Sequence, residues 1–442
     1  MPERRFPEGF LWGTATSSHQ VEGGQYNDWT AAEKAGVMVY NGQLSGIACD
    51  WWNRAEEDFD RMVDLGTNAH RLSLEWSRIE PHPGQWNEAA LVSYREMLQG
   101  LHARGITPMV TLHHFTNPVW MVERGGWENP ESVDWFEAYV RHVVRYLGDL
   151  VPLWCTINEP MVMVGQGWML GLWPPGKRSM EAARRATINL AKAHAAAYHA
   201  IHDLDADASV GLAKHIVSWN PDRVLLPTDQ LIARLVNDIS IHAFLRAITQ
   251  GFVRVPGFGT IEIEGGHASL DWLGVNYYQR YNVGLRLRHI IPLLLRRLDT
   301  EVFYQRTRDH MPQGPAGWGE FHARGLYEHV RDVQQYGVPI YITENGIPTE
   351  HDDPRGSFLV EHLEQLWYAI QDGADVQGYF HWSLLDNFEW AEGYNPEFRF
   401  GLYAVDFPTQ KRTPRPSALI YERICRANAI PADMVEAVAH AG

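Results

Sequence analysis

The sequence predicts an α/β fold, a single (β/α)8 TIM barrel spanning residues 1–442, with long βα loops forming a deep pocket. Three observations lead there. Eight short apolar runs alternate with eight amphipathic stretches, the rhythm of a parallel sheet with helices outside it. No Gly-rich phosphate turn follows an early strand, as a doubly wound open sheet would want; Gly9 and Gly13 merely flank the first run. No linker or low-complexity tract divides the chain, and barrels of this class commonly exceed 250 residues as one domain.

Each element follows in order. The first strand is read at 10–14, and a helix at 52–65 follows it. The second strand, 69–74, leads to a helix at 88–104, and the third, 107–112, to one at 131–147. The fourth and fifth, 153–157 and 210–214, precede helices at 180–204 and 229–250. The sixth, 272–275, is followed by 319–336, the seventh, 339–343, by 358–372, and the eighth, 377–381, by 415–428. The runs are short, continuous and β-branched, as strands covered on both faces must be, whereas the helical stretches repeat their apolar residues every three to four positions. Residues 282–315 break the rhythm with Leu285-Arg286-Leu287-Arg288 and Ile290-Ile291-Pro292-Leu293-Leu294-Leu295-Arg296-Arg297. They are read as a long βα loop with a short helix packed over the barrel rim, a membrane or partner surface being the alternative.

Charge and cysteine usage narrow the function. Lys and Arg number 38 against 54 Asp and Glu, a net charge of −16, which argues against nucleic acid and anionic membranes as partners. The three cysteines, Cys49, Cys155 and Cys425, form neither a disulfide framework nor a CxxC site. With no secretory leader in residues 1–13 and no run of 18 apolar residues, a cytoplasmic protein is expected. Many of the 18 tryptophans sit in Gly/Pro/polar segments, which favours an aromatic-lined cleft over pure packing.

Barrel active sites lie at the carboxyl ends of the strands. There the chain places Gln20, Arg71, His113-His114-Phe115, Asn158-Glu159, Asn276-Tyr277-Tyr278, Glu344 and Trp382, with Glu389-Trp390 in a neighbouring loop. Two glutamates end apolar runs in the contexts Asn158-Glu159-Pro160 and Thr343-Glu344-Asn345-Gly346. One proton donor and one anion facing each other is what glycosidic cleavage requires. Amides, one cation and indoles beside them suit a neutral polyhydroxylated ring. Adjacent His113-His114 is not an HxH pair and no further ligand set appears, so neither metal nor cofactor is expected.

At these residues the chain resembles the family 1 glycoside hydrolases, the β-glucosidase and β-galactosidase family. The matching segments are Phe10-Leu11-Trp12-Gly13-Thr14-Ala15-Thr16, Thr156-Ile157-Asn158-Glu159-Pro160, Ile342-Thr343-Glu344-Asn345-Gly346 and Trp382-Ser383-Leu384-Leu385-Asp386-Asn387-Phe388-Glu389-Trp390. Phe400-Gly401-Leu402, Val405-Asp406, Arg412-Thr413-Pro414-Arg415 and Ser417-Ala418 extend the match nearly to the end. The resemblance implies a retaining β-glycosidase of the β-glucosidase type acting on β-glycosides and short oligosaccharides. Glu344 is implied as nucleophile and Glu159 as acid/base, with Arg71 and Tyr278 around the nucleophile. Asn158 is implied to hold the 2-hydroxyl, Gln20, His114 and Glu389 hydroxyls at the far side of the ring, Trp382 a stacking platform and Trp390 a further donor. Asn276 is counted with the sugar-facing hydrogen-bonders, and His113 is read as structural. Trp168, Trp173 and Trp318 lie in loops on the leaving-group side, where stacking and rim packing both fit. The chain departs from the family at Phe115, where much of it has Trp, and at Thr116, where it often has Asp. Glucose, galactose, fucose and mannose stay open as the glycone, as do monomer and homo-oligomer. A phospho-β-glycosidase, a sugar-binding barrel without catalysis and a metal-dependent hydrolase are the competing readings. Glu389 where a phosphate would sit, both carboxylates present and no ligand set speak against them in turn.

Overall fold

The computed structural model describes residues 2–255, 259–285, 303–306, 314–315 and 317–441. Eight strands form its centre: β1 (Leu11–Ala15), β2 (Ala69–Ser73), β3 (Thr107–His113), β4 (Leu153–Asn158), β5 (Ser209–Pro221), β6 (Trp272–Leu285), β7 (Ile340–Asn345) and β8 (Val376–Trp382). Each pairs in parallel with the next, and β8 pairs in parallel with β1 through Gly378↔Leu11 to Trp382↔Ala15, which closes the barrel. Around it run α1 (Trp51–Asp64), α2 (Glu88–Ala103), α3 (Ser132–Leu147), α4 (Met180–Leu204), α5 (Pro227–Asn237), α6 (Ala243–Gln250), α7 (Ala323–Val333), α8 (Asp353–Gln371) and α9 (Pro416–Ala427). None of the described helices is long and apolar enough to cross a membrane.

The strand sequences explain the closure. Inward-facing Ala15, Ala69, Met109, Cys155, Ala213, Trp272 and Phe380 make one inner cluster. Two of these are large, and glycine makes room for them. A Cβ on Gly13 would stand 2.4 Å from the Phe380 ring, and one on Gly211 would stand 2.2 Å from Trp272. The barrel is thus plugged from within, as the fold requires, and Arg71, Asn158, Asn276 and Glu344 stand toward its carboxyl end.

The eight expected strands are all present, but two are much longer than the sequence indicates. β5 and β6 continue past the barrel as a two-stranded arm, pairing Ser218↔Arg280, Trp219↔Tyr281, Asn220↔Asn282 and Pro221↔Val283. A strand at Phe303–Arg306 then pairs antiparallel with 282–285. Part of the expected loop at 282–315 is therefore sheet; the short helix expected within it lies outside the described residues. The arm reads as loop because polar residues interrupt its apolar run. Tertiary partners satisfy them: Arg280 Nη2 lies 2.6 Å from Glu320 Oε2, and Asn282 Nδ2 donates to Glu320 Oε1 at 2.7 Å. The helix expected at 229–250 is α5 and α6 joined by a π-turn at Asp238–His242, and α8 begins five residues earlier than expected, with Pro354 in its first turn. An antiparallel hairpin, Gly251–Val255 with Gly259–His267, was not anticipated.

The loop after β8 is held by a buried ion pair. Arg415, just before α9, donates to Asp386 from Nη1 (2.9 Å) and Nη2 (2.7 Å) and to the Gly401 carbonyl at 2.7 Å. Asp386 is fully buried. Arg415→Met should leave that carboxylate uncompensated and cost about 3–5 kcal/mol in urea or thermal unfolding. A loss below about 1 kcal/mol would mean that the pair contributes little.

Candidate active site

The two sequence-identified glutamates meet at the carboxyl end of the barrel. Glu344 is the penultimate residue of β7, in register with Asn276 of β6. Glu159 follows β4, where a register shift between Cys155 and Asn158 re-aims the strand end. Its backbone is left-handed (φ 43°), a conformation that costs energy in a non-glycine residue, and its N–H is anchored on the Ala213 carbonyl at 2.8 Å. Both side chains line a cavity of about 550 Å³.

Arg71 organises the floor. Its Nη1 donates to Glu344 Oε1 at 2.5 Å, its Nη2 to Asn158 Oδ1 at 2.6 Å and its Nε to Thr111 Oγ1 at 3.0 Å. Tyr278 donates its hydroxyl to the other oxygen of Glu344 at 2.5 Å. Asn276 Nδ2 donates to Asn158 Oδ1 (3.1 Å) and Glu159 Oε1 (2.7 Å), while its own oxygen accepts from Thr343 Oγ1 at 2.6 Å. A guanidinium has only donors, so it fixes which end of the Asn158 amide is oxygen. The Asn158 nitrogen must then donate to His114 Nε2, 3.0 Å away. Burial and the Arg71 charge hold His114 well below the usual histidine range, so the ring is neutral with its hydrogen on Nδ1. That Nδ1 is buried with no hydrogen-bond partner among the described residues, while the residue lines the cavity.

The carboxyls are not equivalent. Burial pushes Glu159 up to about 8, and the negative charge of Glu344 pushes the same way, against the Asn276 amide and the more distant charges of Arg71 and Lys214; among the described residues its one side-chain donor is that neutral amide. Burial also raises Glu344, but there the Arg71 charge and the Tyr278 hydroxyl oppose it. The first proton therefore leaves Glu344, and the pair titrates as a unit. Such an arrangement can supply an anion and an acid to one bond at neutral pH. Lys214, on β5, is buried with its Nζ donating to the His215 carbonyl at 2.7 Å. Burial draws its ammonium down to about 8, the Glu159 charge opposing.

At the far end, Trp382 and Trp390 line the cavity with His114, whose ring lies 6.0 Å from each. Glu389 is half-buried on the wall, and burial together with the Glu344 charge pushes its carboxyl well above the usual range. Gln20 does not line the cavity. It is fully buried behind the wall, its amide donating to Glu389 Oε2 and Asn387 Oδ1 at 3.0 Å each and accepting from Ser17 Oγ at 2.7 Å. Phe115 lines the wall with φ 70°, its ring 5.1 Å from both Trp173 and Trp390. Thr116 is buried on Glu75 Oε2 at 3.1 Å, and His113 on Asn117 Oδ1 at 3.0 Å.

Trp173 and Trp318 line the open side. Trp168 does not; it is 3% exposed and donates its indole N–H to Glu128 at 2.9 Å, so rim packing is the outcome there. Sequence reasoning missed Lys214, His215 and Tyr281. His215 follows from strand alternation, since Gly211 and Ala213 already face inward. Lys214 left no signal, because a lysine inside an apolar run reads as an edge position. Tyr281 lies beyond the strand read at 272–275, on the arm by which that strand continues.

The family model described as glycosyl hydrolase family 1 matches residues 2–430. β-Glucosidase A of Thermotoga maritima is 34% identical over 458 residues, covering 97% of this chain and 100% of that protein. A β-glycosidase structure from Pyrococcus horikoshii superposes with a TM-score of 0.90 at 39% identity, covering 99% and 98% of the two chains. A Thermotoga maritima β-glucosidase in complex with deoxynojirimycin gives 0.88 at 34% identity, covering 96% and 99%.

Because the Glu344 charge raises Glu159, Glu344→Gln should lower the Glu159 titration from about 8 by roughly a unit, read by pH-dependent infrared or 13C NMR of labelled carboxyls. An unmoved titration would mean that burial alone sets it.

Proposed function

The chain belongs to glycosyl hydrolase family 1 and is a retaining β-glycosidase of the β-glucosidase type; on that premise we propose that Glu344 is its nucleophile and Glu159 its acid/base. One observation carries the assignment: Glu344 is held as an anion by a guanidinium and a phenol, while Glu159 has, among the described residues, a single neutral donor and keeps its proton. In the first step a Glu344 oxygen bonds to the anomeric carbon, the glycosidic bond breaks, and Glu159 gives its proton to the leaving oxygen. In the second, Glu159 takes a proton from water, the resulting hydroxide oxygen bonds to the same carbon, and Glu344 departs. Two displacements return the β anomer.

The remaining residues fit binding roles. The Nδ1–H of His114 and the Glu389 carboxyl serve ring hydroxyls, Trp382 and Trp390 the apolar ring face, and Asn158, clamped by Arg71, the 2-hydroxyl. Gln20 acts through Glu389, whose carboxyl it orients. Substrates are terminal β-D-glucosyl residues of oligosaccharides such as cellobiose and of aryl and alkyl glucosides. The charge of −16 suits small neutral ligands over nucleic acid. The chain acts as one catalytic barrel domain, a reading supported by the pairing of Arg4–Arg5 with Ala429–Ile430 at its two ends. The free, buried Cys49, Cys155 and Cys425 suit the reducing cytoplasm.

A 2-deoxy-2-fluoro-β-glucoside with a good leaving group should label Glu344, located by peptide mass spectrometry. A sugar found on any other residue overturns the assignment. Glu159→Gln should slow alkyl glucosides far more than activated aryl glucosides, azide should restore turnover, and the alkaline fall of kcat/KM near pH 8 should disappear. The sign follows from the role, since activity needs the protonated acid and is lost as pH rises through its pKa. Equal losses on both substrate classes count against Glu159.

Glu389 should accept hydroxyls and give a 6-phosphate no donor of positive charge, and among the described residues that line the cavity there is no lysine or arginine to offset the phosphate charge. A phosphorylated β-glucoside cleaved faster than its neutral counterpart would change the substrate class.

A further inference from the structure

His215 lines the cavity and is half-buried, yet it has no part in the binding or chemistry above. It is the next inward position of β5 after Gly211 and Ala213. Across the ladder it stands opposite Asn276 of β6, whose amide holds Glu159. Two residues earlier on its own strand, the Ala213 carbonyl anchors the Glu159 N–H at 2.8 Å. The imidazole therefore sits on the acid/base side of the catalytic pair, its ring 6.1 Å from that of Tyr278. The polar groups around it are already bonded. Asn276 donates to Asn158 and Glu159 and accepts from Thr343. The Asn158 amide lies between Arg71 and His114, and the Tyr278 hydroxyl donates to Glu344. Neither ring nitrogen of His215 has a hydrogen-bond partner among the described residues. Burial, with the Lys214 charge next to it, draws the ring down to about 3, so it is uncharged at neutral pH. An uncharged imidazole keeps one nitrogen as an acceptor, which an imidazolium lacks.

We propose that His215 holds the attacking water of the second displacement, its acceptor nitrogen taking one hydrogen of that water while Glu159 takes the other. This rests on the assignment of Glu344 and Glu159 above. Glu159 Oε1 accepts from Asn276, which leaves Oε2 to receive the proton. With both hydrogens held, a lone pair of the water is aimed at the anomeric carbon. As the oxygen bonds there, one proton passes to Glu159 and the bond to Glu344 breaks. The other hydrogen stays on the oxygen as that of the new hydroxyl. An alcohol has a single hydroxyl hydrogen, and Glu159 takes it, so His215 favours water over alcohols as the acceptor. Departure of an aryl group gains nothing from His215, because the leaving oxygen carries a ring where the water carries its second hydrogen.

The test follows the glycosyl-enzyme formed from activated aryl glucosides in dilute methanol, measuring the ratio of methyl glucoside to glucose. His215→Phe keeps a ring against Tyr278 but has no acceptor. His215→Asn and His215→Gln lack the ring but carry an amide oxygen near the Nδ1 and Nε2 positions. In His215→Phe the ratio should rise about three- to tenfold, the worth of one hydrogen bond. On a dinitrophenyl glucoside, whose good leaving group makes the second displacement limiting, kcat should fall by a like factor while kcat/KM holds. At least one amide variant should keep the wild-type ratio, and His215→Ala replaces His215→Phe if that variant does not fold. A wild-type ratio in His215→Phe, or amide variants that match it, overturns the role of His215. A kcat/KM that falls with kcat puts the imidazole in the first step and overturns it too. A wild-type ratio that changes with the aryl leaving group means no common glycosyl-enzyme, and overturns the Glu344 assignment itself.

Discussion

The buried guanidinium of Arg71 is the interaction on which the site depends. It is 1% exposed, and a cation there is tolerable only if its donors are filled and its charge answered. Those donors reach Thr111 on β3, Asn158 on β4, and the Thr343 carbonyl and Glu344 carboxylate on β7. One side chain from β2 thus ties three other strands across the barrel mouth. From Glu344 the polar chain passes through Arg71, Asn158 and Asn276 to Glu159, so the two carboxyls are placed by one network. The same cation orients the Asn158 amide, and the amide sets the His114 tautomer. The positions of donors and acceptors follow from a charge that cannot be removed by deprotonation.

That network needs a dry floor. The barrel interior below it is filled by Phe380 and Trp272 against Gly13 and Gly211, with small alanines between. Phe380 and Trp272 are 0% and 1% exposed, so the charges at the strand ends sit above an apolar floor of low dielectric. The same burial that strengthens the Arg71–Glu344 pair keeps a proton on Glu159. The unequal proton affinities of the two carboxyls and the plugged core are two consequences of one packing arrangement.

Above the floor the walls are aromatic and come from segments far apart in the chain. Trp390 stacks on His19 (5.3 Å, 14°) and meets Trp29, Phe115 and Trp173. Phe115 is one part of that cluster, packed by its neighbours. The β5–β6 arm supplies the opposite wall through Tyr281, whose ring stacks on Trp219 at 5.4 Å.

Much of this was legible in the sequence. The eight apolar runs, the two glutamates at strand ends and the cation, amides and indoles beside them are local patterns, because a strand buried on both faces must be apolar until it reaches the barrel mouth. The arm was not legible, since its polar residues are satisfied by partners such as Glu320 that lie about 40 positions away. Nor could spacing show that Trp168 packs on Glu128 or that Gln20 stands behind Glu389. Why Glu159 should hold its proton more tightly than Glu344 is visible only in the tertiary structure. Both are glutamates after apolar runs, and what separates their proton affinities is Arg71, 273 positions from Glu344 in the chain and 2.5 Å from it in space.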